Sequence, residues 1–177
     1  LAIDLEHSVI TIREAEELIR VIDLAGVVPL VRLTSNNSDQ IKRVMDAGAH
    51  GVIVPMVMSA DEAKLAVSSV KYPLAGKRGI GLARAQGYGA NFDQYFEWQK
   101  ENTIVIVQIE HIDAVNNIDA ILSVEGVDGF FIGPNDLSGS MGIPRQLDRK
   151  EYKESVDRVK EAGLVHGVIS GVHVVEP

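Results

Sequence analysis

The chain has 177 residues, 46% hydrophobic and 24% charged, a composition that suits one globular domain with a sizeable core. Its formal net charge of −8 offers no basic surface to nucleic acid or to an anionic membrane, and no apolar run reaches transmembrane length. Zero cysteines exclude a disulfide framework, a thiolate zinc site and a thiol nucleophile, and they suit a reducing cytoplasm.

In chain order, the hydrophobic period gives strands alternating with helices. The strand "LAIDLEH" precedes a helix over about 11–25, with Gly26 as its stop. "VPLVRL" is a strand, and "SDQIKRVMDAG" a short amphipathic helix with Ile41, Val44 and Met45 on one face. "GVIVPMV" is a strand, followed by a helix whose Ser59 and Glu62 form a capping box. "TIVIVQIE" and "GVDGFFIGP" are strands on either side of the helix "DAVNNIDAILSV". A helix capped by Asp148 and the strand "GVISGVHVV" complete the pattern.

Continuous apolar strands separated by helices predict a parallel sheet covered by helices, either a doubly wound sheet or a (β/α) barrel. Polar residues close several strands rather than marking one switch point, which favours the (β/α)₈ TIM barrel. A closed barrel needs eight strands, and the sequence supplies about six. The first residue is Leu rather than Met. The expectation is therefore one α/β barrel domain over 1–177, processed, truncated or only partly described, lacking about one unit at each end. Residues 72–102, rich in glycine and aromatics, break the alternation. They read equally well as a plain connection ending in a short helix or as a lid or subunit-contacting arm.

Three strands end in ionisable or amide side chains: Glu6 and His7, Gln108 and Glu110, Asn135 and Asp136. Gln108 and Glu110 alternate along a strand, so both point to one side. A carboxylate at the mouth of a buried strand is costly unless it is paired or metal-bound. Glu110 and Asp136, hard oxygen donors on consecutive strand ends, suit Mg²⁺ or Mn²⁺ with positions left for water and substrate. Taken singly, Glu110 reads as a helix cap and Asp136 as a turn residue.

His7 is a candidate general base. Arg32 reads equally as an oxyanion-stabilising cation or as a salt-bridge residue, and Asp46 by itself as a solvated or capping carboxylate. His50, His111, His166 and His173 show no metal-ligand spacing, and only His173 lies in a strand that could bring it to the same end. No lysine closes a strand, which argues against Schiff-base chemistry.

"DLEH", "VRL", "IKRVMDAGAHGVIVPMV", "YPLAGKRGIG", "VQIE", "GVDGFFIGPNDLSGSMG" and "GVHVVEP" resemble the HpcH/HpaI aldolases from the first residue to the last. These are metal-dependent class II aldolases acting on 2-oxo acids, typified by 4-hydroxy-2-oxoheptanedioate aldolase. The resemblance implies a (β/α)₈ barrel, a divalent Mg²⁺, Mn²⁺ or Co²⁺ cofactor, and a homohexamer built as a trimer of dimers. It implies His7 as proton acceptor, Arg32 as the enolate-stabilising group, and Asp46 as the residue that raises the basicity of His7. Gln108 and Asn135 are implied as substrate contacts, Glu110 as a metal ligand, and Asp136 as both. Ser8-Val9 stands where the family often has Gly or Ala followed by Pro, a departure that bears on the following loop. The implied reaction cleaves a 4-hydroxy-2-oxo acid to pyruvate and an aldehyde, a step in aromatic-compound catabolism. The nearest rivals are an acyl-CoA ester lyase and a non-catalytic barrel serving as a binding module.

Overall fold

The computed structural model describes residues 1–172, so His173 and the end of the last expected strand lie outside the described residues. The chain forms two compact units. One comprises Leu1–Val54 with Leu65–Val105, and the other Pro55–Lys64 with the chain from Ile106 onward.

In the first unit, β1 (Ala2–Asp4), β2 (Leu30–Arg32) and β3 (Gly51–Val54) are parallel, with Ile3 opposite Val31 and Val31 opposite Val52. The first residue of β4 (Ile104–Ile109) also lies in this unit, and its N–H donates to the His50 carbonyl at 2.9 Å. In the second unit the rest of β4 pairs in parallel with β5 (Gly129–Ile132), and β5 with β6 (Ile169–Val172). Six parallel strands are thus present among the described residues, and no pairing closes them into a barrel. No described helix is long and apolar enough to cross a membrane.

Helix boundaries follow local chemistry. In α1 (Ile12–Leu24) the Thr11 backbone N–H donates to Glu14 Oε2 at 2.7 Å, and the Glu14 N–H returns a bond to Thr11 Oγ1. This capping box satisfies donors that the first turn leaves open. Asn37 caps α2 (Ser38–Asp46) by accepting from the Gln40 N–H at 2.9 Å. At the start of α3 (Ala60–Val70) the Glu62 N–H donates to Ser59 Oγ at 3.3 Å, while Glu62 Oε2 accepts from the Ser59 hydroxyl at 3.2 Å and the Met58 N–H at 2.7 Å. In the first unit Ile19, Val31, Leu33, Ile41, Met45 and Val52 are wholly buried; in the second, Val107, Ile109, Ile118, Ile121 and Leu137 are.

Three expectations need correction. The helix over "DAVNNIDAILSV" is two short helices, α5 (Ile112–Asn116) and α6 (Ile118–Leu122), because Asn117 leaves helical geometry at φ −101°, ψ 11°. Asp148 does not cap the following helix, α8 (Lys150–His166): its carboxylate lies 3.5 Å from Lys153 Nζ, and the capping position falls to Arg149. A helix absent from the sequence reading, α7 (Pro134–Ser140), starts where Pro134 fits the first helical position.

The 72–102 segment ends in α4 (Phe92–Asn102) and is stitched to the first unit. Gln86, fully buried, donates from Nε2 to the Tyr72 hydroxyl at 2.6 Å. The Arg78 guanidinium lies 4.0 Å above the Tyr72 ring and donates to the Tyr95 hydroxyl at 2.9 Å. Arg84 donates to the Ala47 carbonyl and to Asp23 Oδ2, both at 3.0 Å.

Candidate active site

In the first unit the ends of β1 and β2 place Asp4 directly opposite Arg32. Arg32 grips the Asp4 carboxylate with two bonds, Nε to Oδ1 at 2.9 Å and Nη2 to Oδ2 at 2.5 Å. A two-point pairing of this kind fixes the guanidinium plane. Its Nη1 lies 3.4 Å from Glu6 Oε2. Asp4 Oδ1 also accepts the backbone N–H groups of Glu6 (2.9 Å) and His7 (3.2 Å), which folds the chain sharply after β1. The Arg32 bond, foremost, and these two amides hold the Asp4 carboxyl below the usual carboxylate range, against the opposing effect of burial.

His7 follows this turn. Its side chain is 65% exposed, and Nε2 lies 3.8 Å from Glu6 Oε2. His7 and Arg32 are therefore brought to one cluster, joined through Glu6.

Asp46 lies elsewhere in the unit. It lines a cleft of about 320 Å³ with Ile12, Glu16, Arg43, Leu82 and Tyr88, and its buried Oδ1 has no hydrogen-bond partner among the described residues. Burial pushes its carboxyl above the usual range, offset in part by the charges of Arg78 and Lys42. No hydrogen bond joins Asp46 to His7 within the unit. His50 lines a separate cavity of about 300 Å³ with Asp23, Arg84 and Trp98. Its pKa is lowered, by burial first and then by Arg84, while Asp23 opposes the shift.

The second unit holds Gln108, Glu110, Asn135 and Asp136. Glu110, just past the end of β4, is 3% exposed. Its carboxylate accepts from two directions: the Met56 backbone N–H on Oε1 at 2.7 Å, and Gln108 Nε2 on Oε2 at 2.8 Å. Met56 adopts φ +53°, an uncommon region for a side chain of this size, and so turns its N–H toward Glu110. Gly133 completes the cradle. A Cβ there would stand 2.6 Å from Glu110 Oε2 and 2.9 Å from its Cβ, so any larger residue would force the carboxylate to shift. Asn135 and Asp136 are exposed in the first turn of α7, where the helix N-terminus favours a carboxylate.

Sequence reasoning missed three contributors: Asp4 as the partner of Arg32, the Met56 amide and Gly133. Asp4 alone carried a signal, since it stands two residues before Glu6 on an apolar strand.

The sequence matches the HpcH/HpaI aldolase/citrate lyase family over residues 1–176. The chain belongs to this family. Among curated relatives it is 37% identical over 176 residues to a 2-keto-3-deoxy-L-rhamnonate aldolase of Salmonella gallinarum, covering 96% of this chain and 66% of that protein. It is 38% identical over 175 residues to a hydroxypyruvate/pyruvate aldolase of Sagittula stellata, covering 96% and 69% respectively. The chain thus spans about two thirds of the length of these relatives.

Among solved structures, an HpcH/HpaI aldolase from Desulfitobacterium hafniense DCB-2 superposes with a TM-score of 0.92 at 34% identity, covering 99% of this chain and 68% of that one. The citrate synthase SbnG superposes with a TM-score of 0.87 at 32% identity, covering the same shares of each. The expected TIM-barrel class therefore holds for this member of the family, with six strands of an unclosed sheet described.

A divalent cation is implied by the resemblance, and the second unit's residues fit one. Each Glu110 oxygen accepts one of these two bonds, and carboxylate oxygens are the donors that a hard cation takes. Gly133 sets no side-chain atom of its own against Oε2. No group of three His, Asp or Glu side chains is gathered for a metal among the described residues.

Proposed function

We propose that the protein is a metal-dependent class II aldolase that cleaves 4-hydroxy-2-oxo acids to pyruvate and an aldehyde. The observation that carries this reading is the Glu110 cradle: a nearly buried carboxylate held by the Met56 amide and Gln108, with Gly133 cleared beside it. A buried carboxylate needs pairing or a bound cation, and fixed donors that orient it are the usual support of a metal ligand.

Glu110 and Asp136 would hold the metal, with Mg²⁺, Mn²⁺ and Co²⁺ as the candidates. When bound, it supplies Lewis-acid polarisation of the keto oxygen and charge stabilisation for an enolate. The chain's own residues do the rest. His7, exposed and unencumbered by a strong hydrogen bond, accepts the proton of the C4 hydroxyl. As that bond breaks, C3–C4 cleaves, the electron pair moves to C3, and the aldehyde leaves. Arg32, its guanidinium plane oriented by Asp4, stabilises the enolate oxygen. Protonation at C3 completes pyruvate. Asn135 and Asp136 contact the substrate. The role of Asp46 in raising the basicity of His7 rests on the family resemblance alone. A homo-oligomer, hexameric as in the resembled family, and a cytoplasmic location consistent with a cysteine-free chain complete this reading.

A second reading has one observation in its favour. The likeness to a citrate synthase at 32% identity, within a family that includes citrate lyase, points to citrate-type substrates. One assay separates the two: incubation of the Mn²⁺-loaded protein with 4-hydroxy-2-oxo acids and, separately, with citrate. Pyruvate release from the former supports the aldolase. Cleavage of citrate alone supports the alternative and removes the first reading.

A further inference from the structure

His50 stands immediately before β3, at the opposite end of the parallel strands from Asp4 and Arg32. Its backbone is pinned on both sides: the N–H donates to the Pro29 carbonyl and the carbonyl accepts from the Ile104 N–H, both at 2.9 Å. The side chain lines the cavity of about 300 Å³ in the first unit and meets Trp98 of α4 at 4.7 Å between ring centroids.

Two charged groups face the imidazole there. Asp23, near the end of α1, sets Oδ1 4.0 Å from His50 Nε2. Arg84, in the 3₁₀ turn Arg84–Gln86, donates to the other oxygen of the same carboxylate at 3.0 Å. From α4 the one titratable group is Tyr95, whose hydroxyl already accepts from Arg78, and the chain just past α2 contributes the uncharged Gly48. One carboxylate therefore stands between a permanent cation and a side chain that can become one. Burial foremost, with Arg84 adding to it and Asp23 opposing, holds the imidazole neutral until the pH falls below its ordinary range.

Protonation puts a second positive charge into this cavity. The His50 and Arg84 side chains are 30% and 20% exposed, so solvent screens their repulsion less than it would on an open surface. His50 has no freedom to withdraw, because its backbone is fixed on both sides. Arg84 has that freedom, since it reaches Asp23 from a turn that continues into the exposed Gly87 and Tyr88. We propose that His50 is an acid-operated release, which on taking a proton from solvent claims Asp23 and frees Arg84 from it. Arg84 also lines the cleft that contains Asp46, together with Leu82, Ala83 and Tyr88, so the release loosens one wall of that cleft. The device does not depend on the aldolase reading.

Trp98 is the only tryptophan of the chain and gives the test a local probe. An imidazolium in contact with an indole quenches its emission far more than a neutral imidazole does. Emission followed from about pH 8 downward should fall in one step, with a midpoint below the ordinary histidine value of ~6.5. Hydrogen exchange, corrected for its intrinsic pH dependence, should show the hydrogen-bonded amides of Gln86, Gly87 and Tyr88 losing protection through the same step. The loss should be about 5-fold, in keeping with one partly exposed ion pair. In His50→Gln both changes should vanish. In Arg84→Met the emission step should remain but move to higher pH, because the repelling charge is gone, and the turn should be weakly protected throughout. A flat emission profile in the wild type, or a step that survives His50→Gln, overturns the proposal. So does protection that holds or rises through the step, which would make the protonated trio a lock. Should His50→Gln not fold, Arg84→Met decides, and a midpoint that stays or falls overturns the proposal.

Discussion

Glu110 and Gly133 stand so close that only glycine leaves the carboxylate where it is: a Cβ at 133 would lie 2.6 Å from Glu110 Oε2. The Gly133 backbone itself, at φ −90° and ψ 97°, is one that any residue adopts. The requirement is therefore steric and specific to the carboxylate, and it links the start of α7 to the end of β4.

Gly133→Ala should displace the Glu110 carboxylate without backbone strain. We expect Mn²⁺ affinity to fall at least ~10-fold, as changes around metal ligands commonly do. Stability should drop by about 1–3 kcal/mol, the usual cost of overpacking. Calorimetric Mn²⁺ titration and chemical denaturation check both. Unchanged metal affinity in a folded Gly133→Ala protein would place the metal away from Glu110.

The Asp4–Arg32 pair makes a pH-dependent prediction. Arg32 holds the Asp4 carboxyl below its ordinary value. The stabilisation is therefore present above the unfolded-state pKa near ~3.9, and it is lost as pH falls through the lowered folded-state value. Asp4→Asn should cost about 1 kcal/mol at neutral pH, given that Asp4 is partly exposed. The gap between variant and wild type should close in acid, which thermal unfolding from pH 7 down to about pH 2 will reveal. Because Asp4 orients Arg32, kcat should fall while Mn²⁺ affinity stays unchanged.

Most of the alternation of elements was legible in the sequence, because β-branched apolar runs such as "IVIV" and capping pairs such as Ser59 and Glu62 act locally. Glu110 was legible for the same reason, since a carboxylate ending such a run requires an explanation. The Met56 amide and Gly133 were not. Their relation to Glu110 exists only after β4, the turn after β3 and the start of α7 are brought together, and a backbone N–H has no letter in a sequence. The split at Asn117 was missed because apolar periodicity continues through it. The pairing of Asp4 with Arg32 depends on strand register, which composition does not encode.

Asp46 provides a third test. Burial raises its carboxyl pKa, so its contribution to stability is present below the unfolded-state value and is lost as pH rises through the folded one. Asp46→Asn should raise Tm by about 1–3 °C at pH 7 and leave it unchanged near pH 3. If Asp46 also acts through His7, the variant should lower kcat, and His7→Ala with Asp46→Asn should be no slower than His7→Ala alone. His7→Ala itself should cost ~10²–10⁴-fold. Losses that multiply would reduce Asp46 to a half-buried carboxylate of the cleft beside Leu82 and Tyr88.

The most direct test is pyruvate release from a 4-hydroxy-2-oxo acid by the protein before and after exhaustive chelation, with borohydride present in a parallel reaction. On the proposed reading, in which Glu110 and Asp136 would hold a divalent metal, activity should disappear on chelation, return with Mn²⁺, Co²⁺ or Mg²⁺, and be unaffected by borohydride. Full activity in the chelated protein, or covalent capture of pyruvate on a lysine, would contradict it.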